Sequence, residues 1–118
     1  MREMLRGGLP FGALEAFVHT MGIPIATITK VLGVASRTLA RRKDQRVFNP
    51  VESDRLYRLA RVAYRAIQTL GSHEKAEQWL ERPNRALGGE RPLSLLDTDI
   101  GARQVKAVLG RIDHGVFS

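Results

Sequence analysis

The sequence predicts an all-α chain, with an N-terminal helix-turn-helix segment joined by a long helix to a small helical domain. Apolar residues recur at spacings of three and four, while few β-branched runs alternate with period two. Helix-stop residues, among them Gly22, Gly33, Gly71 and Pro83, close short periodic stretches. Only the stretch that opens at Asn49-Pro50 continues much further, to about Leu70. A chain of 118 residues makes one domain or two small helical halves sharing a core, burying roughly two-thirds of its unfolded surface. The expected division is a poorly ordered lead-in over 1–12, the helix-turn-helix over 13–48, a connecting helix over 49–71 and a C-terminal domain over 72–118. There is no cysteine, which excludes disulfides and thiolate metal sites. No leader pattern or run of eighteen apolar residues is present, so the expectation is a soluble cytoplasmic protein without a membrane partner.

The first helix is expected over 13–21, where Leu14, Phe17, Val18 and Met21 form a one-sided stripe that ends at Gly22. A second follows over 25–32, with Ile25, Ile28 and Leu32 on one face. Gly33 then supplies the positive φ that folds a third helix across it. Ser36 is placed as its cap, and the helix runs over 37–46 with Leu39 inward. Two short helices joined by such a glycine turn form a helix-turn-helix.

Charge singles out the same region. The formal net charge is +7, and the stretch from Lys30 to Arg65 carries ten basic and three acidic residues, so all of the excess lies there. Such a concentration suits either a polyanion-facing surface or a solvated helical face. The segment SRTLARRK resembles the recognition helix of the Xre family of regulators. In that reading Ser36, Arg37, Thr38, Arg41 and Arg42 lie at the end that enters a major groove, where arginine can take a guanine edge bidentately. Lys43 and Arg46 meet phosphate. Two positions depart from the pattern: Thr29 stands where alanine is usual, and Arg42 where an apolar residue often turns inward. The alternative is a helical hairpin kept as scaffold or oligomer contact.

Asn49-Pro50-Val51-Glu52 is a helix start, with an Asn cap, proline in the first turn and a Glu placed to bond back. The long helix it opens has a buried stripe of Leu56, Leu59, Ala63, Ile67 and Leu70. Another face carries Asp54, Arg58, Arg61 and Arg65, whose like charges call for a partner anion. Tyr57 and Tyr64, seven apart, share a face suited to a core or dimer contact. Ser72 caps the next helix, over 72–82, with Ala76, Trp79 and Leu80 inward; Trp79 is expected as a core anchor between the two halves. Asn84 to Gly89 reads as a tight turn, since it lacks the strand and spacing of a phosphate cradle. After a short helical turn over 92–96, Thr98 caps the last helix with Asp99 at its positive end. Ile100, Val105, Val108, Leu109 and Ile112 make its apolar side.

Taken together, RTLARRK, ESDRLYRLARVAYRA and the ordered pairs Trp79-Leu80, Pro83-Asn84, Gly88-Gly89, Pro92-Leu93 and Gly115-Val116 closely resemble the MbcA/ParS/Xre antitoxins, from about Leu14 onward. The resemblance implies a bacterial type II antitoxin whose C-terminal domain binds a RES-domain toxin. That toxin degrades NAD or uses it for ADP-ribosylation. The C-terminal helix and tail would obstruct its NAD cleft, and the helix-turn-helix would repress the pair's own operon as a homodimer. The interface expected here comprises Arg103, Lys106, Arg111, His114, Val116 and Phe117, with Phe117 as apolar anchor. Gly115 can end the helix, after which Val116-Phe117-Ser118 either enters a cleft or frays. The alternative is a stand-alone helix-turn-helix repressor whose C-terminal half only dimerises it. The residues speak against an enzyme: His19, His73 and His114 stand far apart, and no nucleophile-base or metal spacing occurs. No cofactor and no small-molecule substrate of its own are expected.

Overall fold

The computed structural model describes residues 8–115. Among the described residues six α-helices follow in order: α1 (Gly12–Met21), α2 (Ile25–Leu32), α3 (Ser36–Gln45), α4 (Pro50–Leu70), α5 (His73–Glu81) and α6 (Asp99–Asp113). Two 3-10 turns, Arg85–Leu87 and Pro92–Asp97, lie between α5 and α6. Among the described residues there is no strand, only an isolated bridge between Pro10 and Val47. None of the helices described is long and apolar enough to cross a membrane. The chain divides into two compact units after Tyr57. The first eight residues of α4 therefore belong to one unit and the rest to the other.

The first unit is built on α1 to α3 and the start of α4. Gly22 and Gly33 end α1 and α2 in the left-handed conformation, φ 71° and 68°. Val34 N–H then bonds the Thr29 carbonyl, closing the turn of the helix-turn-helix. Leu14, Ile23, Ile28 and Leu32 are fully buried beneath it. Leu9 and Phe11, expected within a poorly ordered lead-in over 1–12, are instead packed. Both are buried, and the Phe11 ring stacks on Phe48 with centroids 5.3 Å apart. The Leu9 N–H donates to Ser53 Oγ at 2.8 Å, while Phe48 N–H bonds the Leu9 carbonyl. Two stacked rings and these two hydrogen bonds hold this segment, which no helical periodicity could reveal.

The second unit packs the remainder of α4 with α5, the 3-10 turns and α6. Leu59, Val62, Ala66, Leu80, Leu96, Val105 and Leu109 are fully buried. Ser72 Oγ accepts from Lys75 N–H and Thr98 Oγ1 from Gly101 N–H, so both expected caps form. Asn84 makes the tight turn by accepting from Ala86 N–H, with Gly88 and Gly89 at φ 68° and 83°. Gly101 is the close approach in this unit: a methyl there would overlap the Leu95 carbonyl. Trp79, expected as a core anchor, is only half-buried, and the fully buried residues of α5 are Ala76 and Leu80.

Candidate functional site

In the first unit α3 is the outward helix: none of its residues is buried. Leu39, expected inward, is half-buried. Ala35, not Ser36, stands at the cap position, in extended conformation and without a side-chain bond. Ser36 is thus the first helical residue. Ser36, Arg37, Arg41, Lys43 and Arg46 are exposed and Thr38 is half-buried. Arg37 and Arg41, one turn apart, put two guanidiniums on the same face. Arg46 closes α3 at φ 66°, alone among described non-glycine residues in the left-handed region.

Arg42 departs from its expected place among the groove-facing residues. Its side chain, 15% exposed, turns toward α4, where Nε donates to Glu52 Oε1 at 2.7 Å and Nη1 to Gln45 Oε1 at 3.1 Å. The same Glu52 oxygen accepts from Asn49 N–H at 3.0 Å, and Asn49 Oδ1 accepts from Glu52 N–H at 2.7 Å. The capping box that opens α4 is therefore also the anchor of α3. Burial pushes the Glu52 carboxyl upward, but bonds from Arg42 and Asn49 and the charges of Arg42 and Arg41 outweigh it, leaving the group below its ordinary value. The bond to Glu52 raises Arg42 in turn. An arginine at the inward position is tolerated because a carboxylate waits there. Thr29 is accommodated likewise, its hydroxyl donating to the Ala26 carbonyl at 3.0 Å.

The arginine face of α4 is compensated in part within the protein. Arg55 donates to the Leu32 carbonyl at 2.9 Å, and Arg65 makes two bonds to Asp113 Oδ2, at 2.9 and 3.2 Å. Arg58 Nη2 reaches the Asp97 carbonyl at 3.4 Å, and Arg61 also has an interaction of its own. Arg65 thus meets a carboxylate within the chain, whereas Arg58 Nε is buried without a hydrogen-bond partner among the described residues.

In the second unit α6 presents one face outward. Ile100, Arg103, Gln104, Ala107, Arg111 and His114 are exposed, and they recur at the three- and four-residue spacing of a single stripe. Ile100 is 71% exposed, although its apolar character had placed it with the core residues. Each helical residue advances about 100°, so Ile100 stands about 140° from Val105 and belongs with Ala107 and Arg111. That angle was readable from the sequence, but the apolar side chain masked it. Arg103 pairs with Asp99 at 2.9 Å on the surface, and Lys106 is half-buried at the stripe's margin. His114 Nδ1 lies 2.7 Å from the Gly110 carbonyl, and Gly115 ends the helix at φ 70°. Beside the stripe, Gln104, Ala107 and Arg111 share a cleft of about 510 Å³ with Leu87, Gly88 and Leu95. Val116 and Phe117 lie outside the described residues.

A helix-turn-helix with an exposed basic second helix, followed by a small helical unit whose last described helix presents an outward stripe, defines a two-part protein. The chain belongs to the Xre/MbcA/ParS antitoxin family: residues 1–61 match the antitoxin Xre-like helix-turn-helix domain and residues 65–115 the antitoxin Xre/MbcA/ParS C-terminal toxin-binding domain. It is similar to the antitoxin Xre of Yersinia enterocolitica, 37% identical over 119 residues that span 98% of this chain and 80% of the relative. The antitoxin Xre of Photorhabdus laumondii is 34% identical over 120 residues, spanning 100% and 81%. In fold the chain resembles a chain of the M. tuberculosis MbcT–MbcA toxin–antitoxin complex, with a TM-score of 0.70 and 24% identity over 92% of this chain and 96% of that one.

Proposed function

We propose that this antitoxin neutralises a cognate RES-domain, NAD-consuming toxin by seating the outward face of α6 on it, so that the helix and the tail beyond obstruct the NAD cleft. The observation that carries the reading is the α6 stripe, which leaves Ile100 and Ala107 uncovered between Arg103, Arg111 and His114. An apolar residue rimmed by cations is the anatomy of a protein-binding patch. Ile100 joins Arg103, Lys106, Arg111, His114, Val116 and Phe117 in the proposed interface. On the same reading, the antitoxin represses its own operon as a homodimer. Ser36, Arg37, Thr38 and Arg41 face base edges, Lys43 and Arg46 face phosphate, and Arg42 holds α3 in position from behind.

The test is NAD consumption by the purified toxin titrated with antitoxin variants. Ile100→Glu leaves the fold intact, because the side chain is solvent-facing. It is expected to weaken inhibition by about 30-fold, the scale of a central interface residue worth ~2 kcal/mol. Undiminished inhibition by this variant and by Ala107→Glu would remove the α6 face from the mechanism. A chain cut after Gly115 separates the contribution of Val116 and Phe117 from that of the helix.

A further inference from the structure

We propose that the cleft beside Trp79 binds a nucleotide unit, an aromatic base stacked on the indole with its phosphate held by Lys75 and Arg82. The cleft measures about 340 Å³ and lies wholly within the second unit, and none of its lining residues is among those assigned above to toxin or to operator DNA. Lys75, Gln78, Trp79 and Arg82 line it from α5 and its cap, with Leu70 and Asn84 alongside. Trp79 is half-buried and lines this cleft, so part of its indole is open to a ligand.

Charge complementarity points to an anion. The lining has two cations and no carboxylate. Around α5 the acids are kept apart: Glu74, Glu77 and Glu81 follow one another at three and four residues, while Lys75, Gln78, Trp79 and Arg82 form a neighbouring stripe at the same spacing. No Glu stands three or four residues from Lys75 or Arg82, so the helix forgoes the pairing that would stabilise it. The two carboxamides favour a base over a plain apolar anion. Asn84 Oδ1 already accepts from Ala86 N–H, which leaves its amide nitrogen to donate, and Gln78 offers both a donor and an acceptor. An aromatic platform flanked by cations and carboxamides is the chemistry by which proteins hold single bases and their phosphates.

Because Trp79 is the chain's only tryptophan, its fluorescence reports on the cleft directly. The full chain is titrated with AMP, ADP, adenosine, a short single-stranded oligothymidylate and an acidic phenylalanine-containing peptide. Saturable quenching by AMP or ADP, with adenosine about tenfold weaker, is expected, since a charge-assisted phosphate contact is worth ~1.4 kcal/mol. Tighter binding of the oligonucleotide than of AMP supports a strand as the source of the base, and the reverse supports a free nucleotide. Lys75→Gln with Arg82→Gln is expected to lower affinity about tenfold without changing the melting temperature, as both side chains are exposed. Calorimetry on Trp79→Phe and Trp79→Ala should show binding retained by the first and lost by the second. No saturable quenching up to about 10 mM AMP, ADP or oligothymidylate would overturn the proposal, that concentration exceeding the Kd of even a weak specific site. Nucleotide binding indifferent to the Lys75 and Arg82 changes, or stronger quenching by the peptide, would also overturn it.

Discussion

Arg46 combines a strained backbone with a proposed phosphate contact. It sits at φ 66°, where an L side chain is held at a disadvantage of about 1 kcal/mol relative to glycine. Arg46→Gly is therefore expected to stabilise the fold by up to ~1 kcal/mol in urea unfolding. It should also weaken binding to the DNA upstream of the antitoxin gene and reduce the slope of log K against log salt by about 0.9. A variant both less stable and unchanged in its salt slope would refute both halves of that argument. Glu52 makes a prediction of opposite kind. Its folded-state value lies below the ordinary 4.5, so its contribution to stability is fully present above that pH and is lost as pH falls through the lower, folded value. Glu52→Gln should accordingly be less stable than the parent at neutral pH, with the difference closing below about pH 4, measured as the urea midpoint against pH.

Helix α5 behaves as a unit because its acids share one side. A hydrogen bond with Glu77 comes first among the influences on Glu81, followed by burial and by the Glu77 charge; against a weaker pull from Arg91 they push it up to about 7. The raised value reverses the sign found for Glu52. The unfolded chain gives up this proton near 4.5 while the folded helix keeps it to about 7, so stability declines as pH rises across that interval and is level above it. Glu81→Gln should flatten this part of the pH profile and leave the portion below pH 4.5 unchanged, by the same urea measurements. At this scale the sequence was largely legible. Asn49, Ser72 and Thr98 cap as expected, and Gly33 makes the turn it must. These are interactions between residues two to four apart, which spacing alone specifies.

Across the whole molecule, the two units predict separable activities. Arg41→Ala should weaken DNA binding while leaving inhibition of the toxin intact, and Ile100→Glu should do the reverse. Gel-shift titration and NAD consumption measured on the same preparations check this, and a loss of both activities in either variant would contradict it. The charge map also changes meaning at this scale. The excess of basic residues between Lys30 and Arg65 includes Arg42, Arg55, Arg58 and Arg65, which are engaged inside the protein. Lys30, Arg37, Arg41, Lys43, Arg46 and Arg61 are the exposed members, so the surface offered to a polyanion is narrower than the composition suggested.

The amino-acid sequence by itself determined the all-α class, the position of every helix to within a residue or two, the caps at Asn49, Ser72 and Thr98, and the glycine turn. It also carried the ordered motif pairs that resemble the antitoxins. Each of these depends on neighbours within one helical turn or on residue identity alone. Tertiary structure decided which face of each element is covered. It buried Leu9 and Phe11 against Phe48, turned Arg42 onto Glu52, left Trp79 at the edge of a cleft and exposed Ile100. Burial depends on which surfaces meet across tens of residues of chain, and an apolar or charged side chain does not announce in advance whether a partner is waiting for it.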